Sequence, residues 1–144
     1  LIFFGPNVEK YLQYILGPNL QPLSHLIYIL FYFGAVIIAS ITSLFRHKDD
    51  VWYNAVGASG AVSAVLFFFI FMNPWELLYL YGIIPIPGII SGVLYLIYSH
   101  YMSRKGTDHI NHDAHISGAI FGFIFPLLIN FRLIFYFMDQ LLSR

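Results

Sequence analysis

The chain has 144 residues, of which 59% are hydrophobic and 19% aromatic, while only 10% are charged. A water-soluble domain carries about a quarter of its residues charged, so lipid must be the solvent for much of this chain. Seven Lys and Arg balance seven Asp and Glu, which leaves no basic field to draw nucleic acid, and the absence of cysteine removes disulfides, thiolate nucleophiles and zinc–thiolate sites.

Residues 1–4 form a short apolar run without the positive flank or cleavage site of a signal peptide. They read as the tail of a transmembrane helix that begins upstream. Residues 23–45 are almost wholly apolar and match the length of a bilayer span. The span ends at a charged cluster, 46–50, followed by Trp52 and Tyr53, an aromatic pair suited to headgroup level. Residues 57–72 make a second apolar segment that falls short of a full span, a length tolerated where one end borders a water-filled cavity.

Asn73-Pro74-Trp75-Glu76 breaks the pattern, and a third segment runs over 79–102 with Pro85 and Pro87 kinking its beginning. A polar, solvated loop over 103–113 leads to a fourth segment at 114–131, and the mixed tail 132–144 is expected to lie along the interface. The predicted fold class is therefore all-α: one domain over 1–144, a polytopic transmembrane helical bundle of four full segments and a remnant, with no competing strand signal.

Polar residues inside a membrane cost free energy, so each needs a reason for its place. Gly57-Ala58-Ser59-Gly60-Ala61 sets a hydroxyl among the smallest residues at the start of the short segment. Small residues also serve plain helix packing. In Ala114-His115-Ile116-Ser117-Gly118-Ala119-Ile120-Phe121-Gly122, the spacing puts His115, Gly118 and Gly122 on one helix face, an imidazole beside two notches that admit another backbone.

Together the two runs make chemical sense. A serine hydroxyl needs an adjacent base to become a nucleophile, and histidine is suited to that task near neutral pH. Ser59 also sits at a predicted helix start, where unpaired N–H groups and the positive dipole end can hold an oxyanion. No Asp shares the His115 face, so the expected unit is a dyad.

The Ser59 run resembles the nucleophile motif of the rhomboid family, and Ala114-His115 with Gly118 and Gly122 resembles its histidine-helix motif. Residues 5–10, with Val8-Glu9-Lys10, are similar to the stretch just after the second rhomboid helix. The resemblance implies an intramembrane serine endopeptidase that hydrolyses membrane-anchored proteins within or just above the bilayer, with Ser59 as nucleophile and His115 as general base and acid. It also implies an oxyanion hole from the backbone N–H of Ser59 and, more weakly, of Ala58, with Gly57, Gly60, Gly118 and Gly122 packing the helices around the site. The family's first helix and most of its second are expected to precede Leu1. Rhomboids often carry an aromatic residue four positions after the nucleophile, stacked on the base, and here that position is Ser63.

The implied partners are transmembrane substrates and the lipid bilayer, with no nucleic acid, no cofactor and no metal. Multi-pass insertion in a bacterial inner membrane is the expected location. His109, His112, Asp113 and His115 are ligand types for zinc or iron, but their spacing fits no zinc signature. His25, His47 and His100 read as interfacial, and Pro85-Ile86-Pro87-Gly88 as a kink or turn. The family orientation would put Arg46, Lys48, Arg104 and Lys105 outside and Lys10, Arg132 and Arg144 in the cytoplasm, against the positive-inside rule. Two rivals stand beside the protease. One is an inactive rhomboid-like protein that binds transmembrane helices, against which the presence of both Ser59 and His115 argues. The other is a scaffold or transporter, which would carry more polar residues along a pathway.

Overall fold

The computed structural model describes residues 4–46, 48, 58–80, 82–105 and 110–143. The chain forms α1 (Gly5–Leu20), a 3-10 turn (Gln21–Leu23), α2 (Ser24–Arg46), α3 (Ala58–Met72), β1 (Leu77–Leu80), β2 (Ile84–Pro87), α4 (Gly88–Lys105), α5 (His112–Ile129) and α6 (Leu133–Leu142). Pro6 starts α1, where its missing N–H costs nothing. Gly17 at φ 69°, followed by Pro18, interrupts the same helix near its end.

The bundle is built around α3, in which residues from Gly60 to Met72 are buried except Val62 and Leu66. Phe31 of α2, Phe68 of α3 and Phe121 and Phe125 of α5 pack ring to ring at the core, with the Phe31 and Phe125 centroids 4.6 Å apart. The outward faces are also apolar: Phe33, Leu44, Ile97 and Leu128 are 60%, 70%, 62% and 68% exposed. A contiguous apolar exterior of this kind needs lipid around it. By length and apolarity two helical stretches, 5–46 and 112–129, are able to cross a membrane, while α3 and α6 are shorter apolar helices. At 15 residues, α3 is about 22 Å long, less than the roughly 30 Å hydrocarbon core, so it cannot reach both interfaces.

Two expectations need correction. The third predicted segment, 79–102, is not helical at its start: β1 and β2 form an antiparallel ribbon with Leu77 opposite Pro87 and Leu80 opposite Ile84, and α4 begins at Gly88. Gly82, at φ 74°, makes the turn, and the prolines sit on a two-stranded ribbon where a missing donor is tolerated. The polar loop ends earlier than expected, because α5 begins at His112, and Asn111, His112 and Asp113 are buried, not solvated. The tail is anchored to the bundle: Phe137 of α6 stacks on Phe71 at 5.0 Å and meets Phe123 edge-on, and Tyr136 Oη donates to the Met72 carbonyl at 3.3 Å.

Candidate active site

Two reversals of direction, the ribbon and the connection before α5, make α3 and α5 run parallel, so both helices start at the same end of the bundle. Their backbones touch. A Cβ added to Gly60 would lie 2.6 Å from the Ala114 carbonyl oxygen and would overlap the Ala39 methyl. Gly118 faces the Gly60 carbonyl and Gly122 the Ala64 carbonyl, each so closely that no side chain fits. Ala35, Ala39 and Ser43, four residues apart, are buried along α2 and complete this stripe of small residues. Of the glycines expected to pack here, Gly60, Gly118 and Gly122 are in contact across α3 and α5, and Gly57 lies outside the described residues, as do His47 and His109.

Ser59 and His115 are the chain neighbours of Gly60 and Ala114, so the backbone contact sets both at the same end of the seam. Ser59 is exposed in the first turn of α3, and His115 is half-buried in the first turn of α5. Among the described residues no hydrogen bond joins their side chains. Ala58 and Ser59, as the first two residues of α3, present N–H groups that have no acceptor within the helix.

The His115 ring is held by aromatic contacts. Tyr95 of α4 lies nearly parallel to it, with centroids 6.1 Å apart and planes 23° from each other, and His112 meets it edge-on at 5.9 Å. The Tyr95 hydroxyl is 2.6 Å from Ser63 Oγ, and Ser63 Oγ donates to the Ser59 carbonyl at 3.3 Å. The aromatic residue that the resemblance expects at position 63 is thus absent from α3, and a ring from α4 occupies the face of the imidazole. A hydroxyl stripe at four-residue spacing, Ser91, Tyr95, Ser99 and Ser103, is the sequence signal that points to this face of α4.

The start of α5 is clamped from two sides. Asn111 caps the helix by accepting from the Ala114 N–H at 3.0 Å and donates to Ser43 Oγ. Asp113 Oδ1 accepts from Arg46 Nη1 at 2.8 Å and from Ser103 Oγ at 2.6 Å. Arg46, read from sequence as part of an interfacial cluster, is exposed and is ion-paired with the buried Asp113 beside the site. Asn-x-x-Ala with Asp in the first turn is a helix-start signal that sequence reading alone could have used. His25 is exposed, and its Nδ1 is 2.7 Å from Glu9 Oε1.

A cavity of about 450 Å³ opens between α3, α4 and the ribbon, lined by Leu66, Leu78, Ile86 and Leu94 and reaching Tyr95 and Tyr98. Its walls are mainly apolar, and Tyr98 contacts the His112 ring at 5.8 Å.

The chain is 36% identical over 72 residues to the "RHOMBOID-like protein 12, mitochondrial" of Arabidopsis thaliana, a stretch that covers 50% of this chain and 21% of that protein. No solved structure matches. The Rhomboid domain description fits residues 1–132, which takes in both helix starts and the seam between them, and on that extent the chain belongs to the rhomboid family.

Proposed function

We propose that this chain carries the catalytic residues of an intramembrane serine endopeptidase that cleaves membrane-anchored proteins through Ser59 and His115. The supporting observation is the contact of Gly60 with Ala114, whose chain neighbours are Ser59 and His115, near the start of a parallel helix pair. The His115 imidazole takes the Ser59 proton as Oγ attacks the scissile carbonyl, then returns it to the leaving amine. The oxyanion forms at the N-terminus of α3, held by the N–H of Ser59 and more weakly by that of Ala58, which have no acceptor within the helix. Water, activated by the same imidazole, then releases the acyl group from Ser59.

The substrate class is the one the family resemblance implies, and the surroundings support it. A mostly apolar cavity leads along α4 to Tyr95, which suits the flank of a transmembrane segment better than a soluble peptide. The protein is a multi-pass membrane protein in this reading. A bacterial inner membrane finds no support in a relative named as mitochondrial.

A fluorophosphonate tests the proposal in the intact protein. It should label Ser59 in the parent and fail to label the Ser59→Ala and His115→Ala variants. Equal labelling of parent and His115→Ala would show that His115 does not activate Ser59. A parent that neither labels nor cleaves, yet retains single-span proteins in detergent, would support the inactive helix-binding reading instead.

A further inference from the structure

The His115 ring turns about a torsion with broad, two-fold wells, and among the described residues no hydrogen bond fixes it. Two rings bear on its plane: His112 meets it edge-on at 5.9 Å, and Tyr95 covers its face, 23° from parallel at 6.1 Å, both within the range in which aromatic pairs attract. The same Tyr95 reaches the other half of the site through its hydroxyl. Ser63 has one proton to give, and it goes to the Ser59 carbonyl at 3.3 Å. The 2.6 Å contact therefore has Tyr95 Oη donating to Ser63 Oγ. The order is continuous: the imidazole plane, the Tyr95 ring, the Ser63 hydroxyl and the backbone of Ser59. Ser63 is buried at 4% exposure, so water competes little for that bond.

The geometry points to Tyr95 as a positioning residue for His115, its ring setting the imidazole plane and its hydroxyl tying that ring, through Ser63, to the backbone that carries Ser59. This inference rests on the dyad reading above. Tyr95 touches no reacting atom. Its effect is on how often the base faces the nucleophile, so its loss lowers the rate of the chemical step and not the binding of a reagent.

The experiment uses the intact protein in lipid vesicles with a fluorophosphonate as probe, so that the limiting inactivation rate and the half-saturating concentration are read separately. In Tyr95→Leu the limiting rate should fall by about 10- to 100-fold with the half-saturating concentration nearly unchanged. Tyr95→Phe keeps the ring and should retain most of the rate. Ser63→Ala also loses the bond to the Ser59 carbonyl and should be at least as slow as Tyr95→Phe, and the double variant should be no worse than Ser63→Ala, because the Tyr95–Ser63 bond is already gone in each single variant. In parallel, the His115 ring protons, assigned by comparison with His115→Ala, should carry an upfield ring-current shift in the parent and Tyr95→Phe that disappears in Tyr95→Leu. If Tyr95→Leu does not fold, Tyr95→Met takes its place.

A parental rate in Tyr95→Leu, with the upfield shift of the His115 ring protons still present, would overturn the inference, as would a Tyr95→Phe protein as slow as Tyr95→Leu. A parent no more reactive than Ser59→Ala would sink the protease reading, and the ring-proton shifts would still decide whether Tyr95 sets the imidazole.

Discussion

The Gly60 carbonyl oxygen occupies the place where a side chain on Gly118 would begin. Two helices far apart in sequence are thereby held at a distance that only a Cα hydrogen permits, and contacts of that kind supply weak C–H···O attraction as well as close packing. Gly118→Ala should cost about 1–3 kcal/mol of stability through overpacking. Gly118→Leu should part the helices and lower cleavage of a single-span reporter protein by about 100-fold or more, since small misplacements of reacting groups have effects of that order. Stability is read from the SDS mole fraction at the unfolding midpoint, and an active Gly118→Leu protein would refute the role given to the seam.

Ser59→Ala removes one exposed hydroxyl and should leave the unfolding midpoint within about 0.5 kcal/mol of the parent. Cleavage should fall by at least about 1000-fold, His115→Ala should do the same, and the double variant should be little worse than either, because the two groups act as a unit. Rate losses that multiply in the double variant would mean two independent roles.

The ion pair of Arg46 and Asp113 is unequal in burial, with side-chain exposures of 50% and 9%. Asp113→Asn keeps the shape and loses the charge-assisted bonds, and it should cost about 1–3 kcal/mol. The half-exposed guanidinium contributes less, so Arg46→Gln should cost about 1 kcal/mol or less. The same unfolding measurement ranks the two, and the reverse order would show that Arg46 has a partner beyond Asp113 that matters more.

Asn111 makes the N-cap of α5 and bonds Ser43 on α2. Asn111→Ala should cost about 1–2 kcal/mol, the usual range for a lost cap. Asn111→Asp, which keeps the capping oxygen, should recover part of that loss, and an alanine variant as stable as the parent would assign the helix start to Asp113 alone.

Much of the plan was legible in the chain before any coordinates. Long apolar runs report directly on bilayer length, which is why 23–45 and 114–131 lie within two residues of α2 and α5. Ser59 and His115 stood out because each is a polar group inside a run of small or apolar residues, and Gly118 and Gly122 because a spacing of four places them on one face. These are local signals, carried by residues within a turn or two of one another.

Other features depend on pairings that no local pattern encodes. The 79–87 stretch reads as the apolar head of a helix, and only the pairing of Leu77 with Pro87 across a Gly82 turn makes it a ribbon. Arg46 and Asp113 are 67 positions apart, so each alone looks like a solvated charge, and their ion pair follows from the packing of α2 against α5. Tyr95 was one of 11 tyrosines in the chain. Its place over His115 was decided by how α4 turns against α3 and α5, because an aromatic side chain carries no mark in the sequence of which ring it will meet.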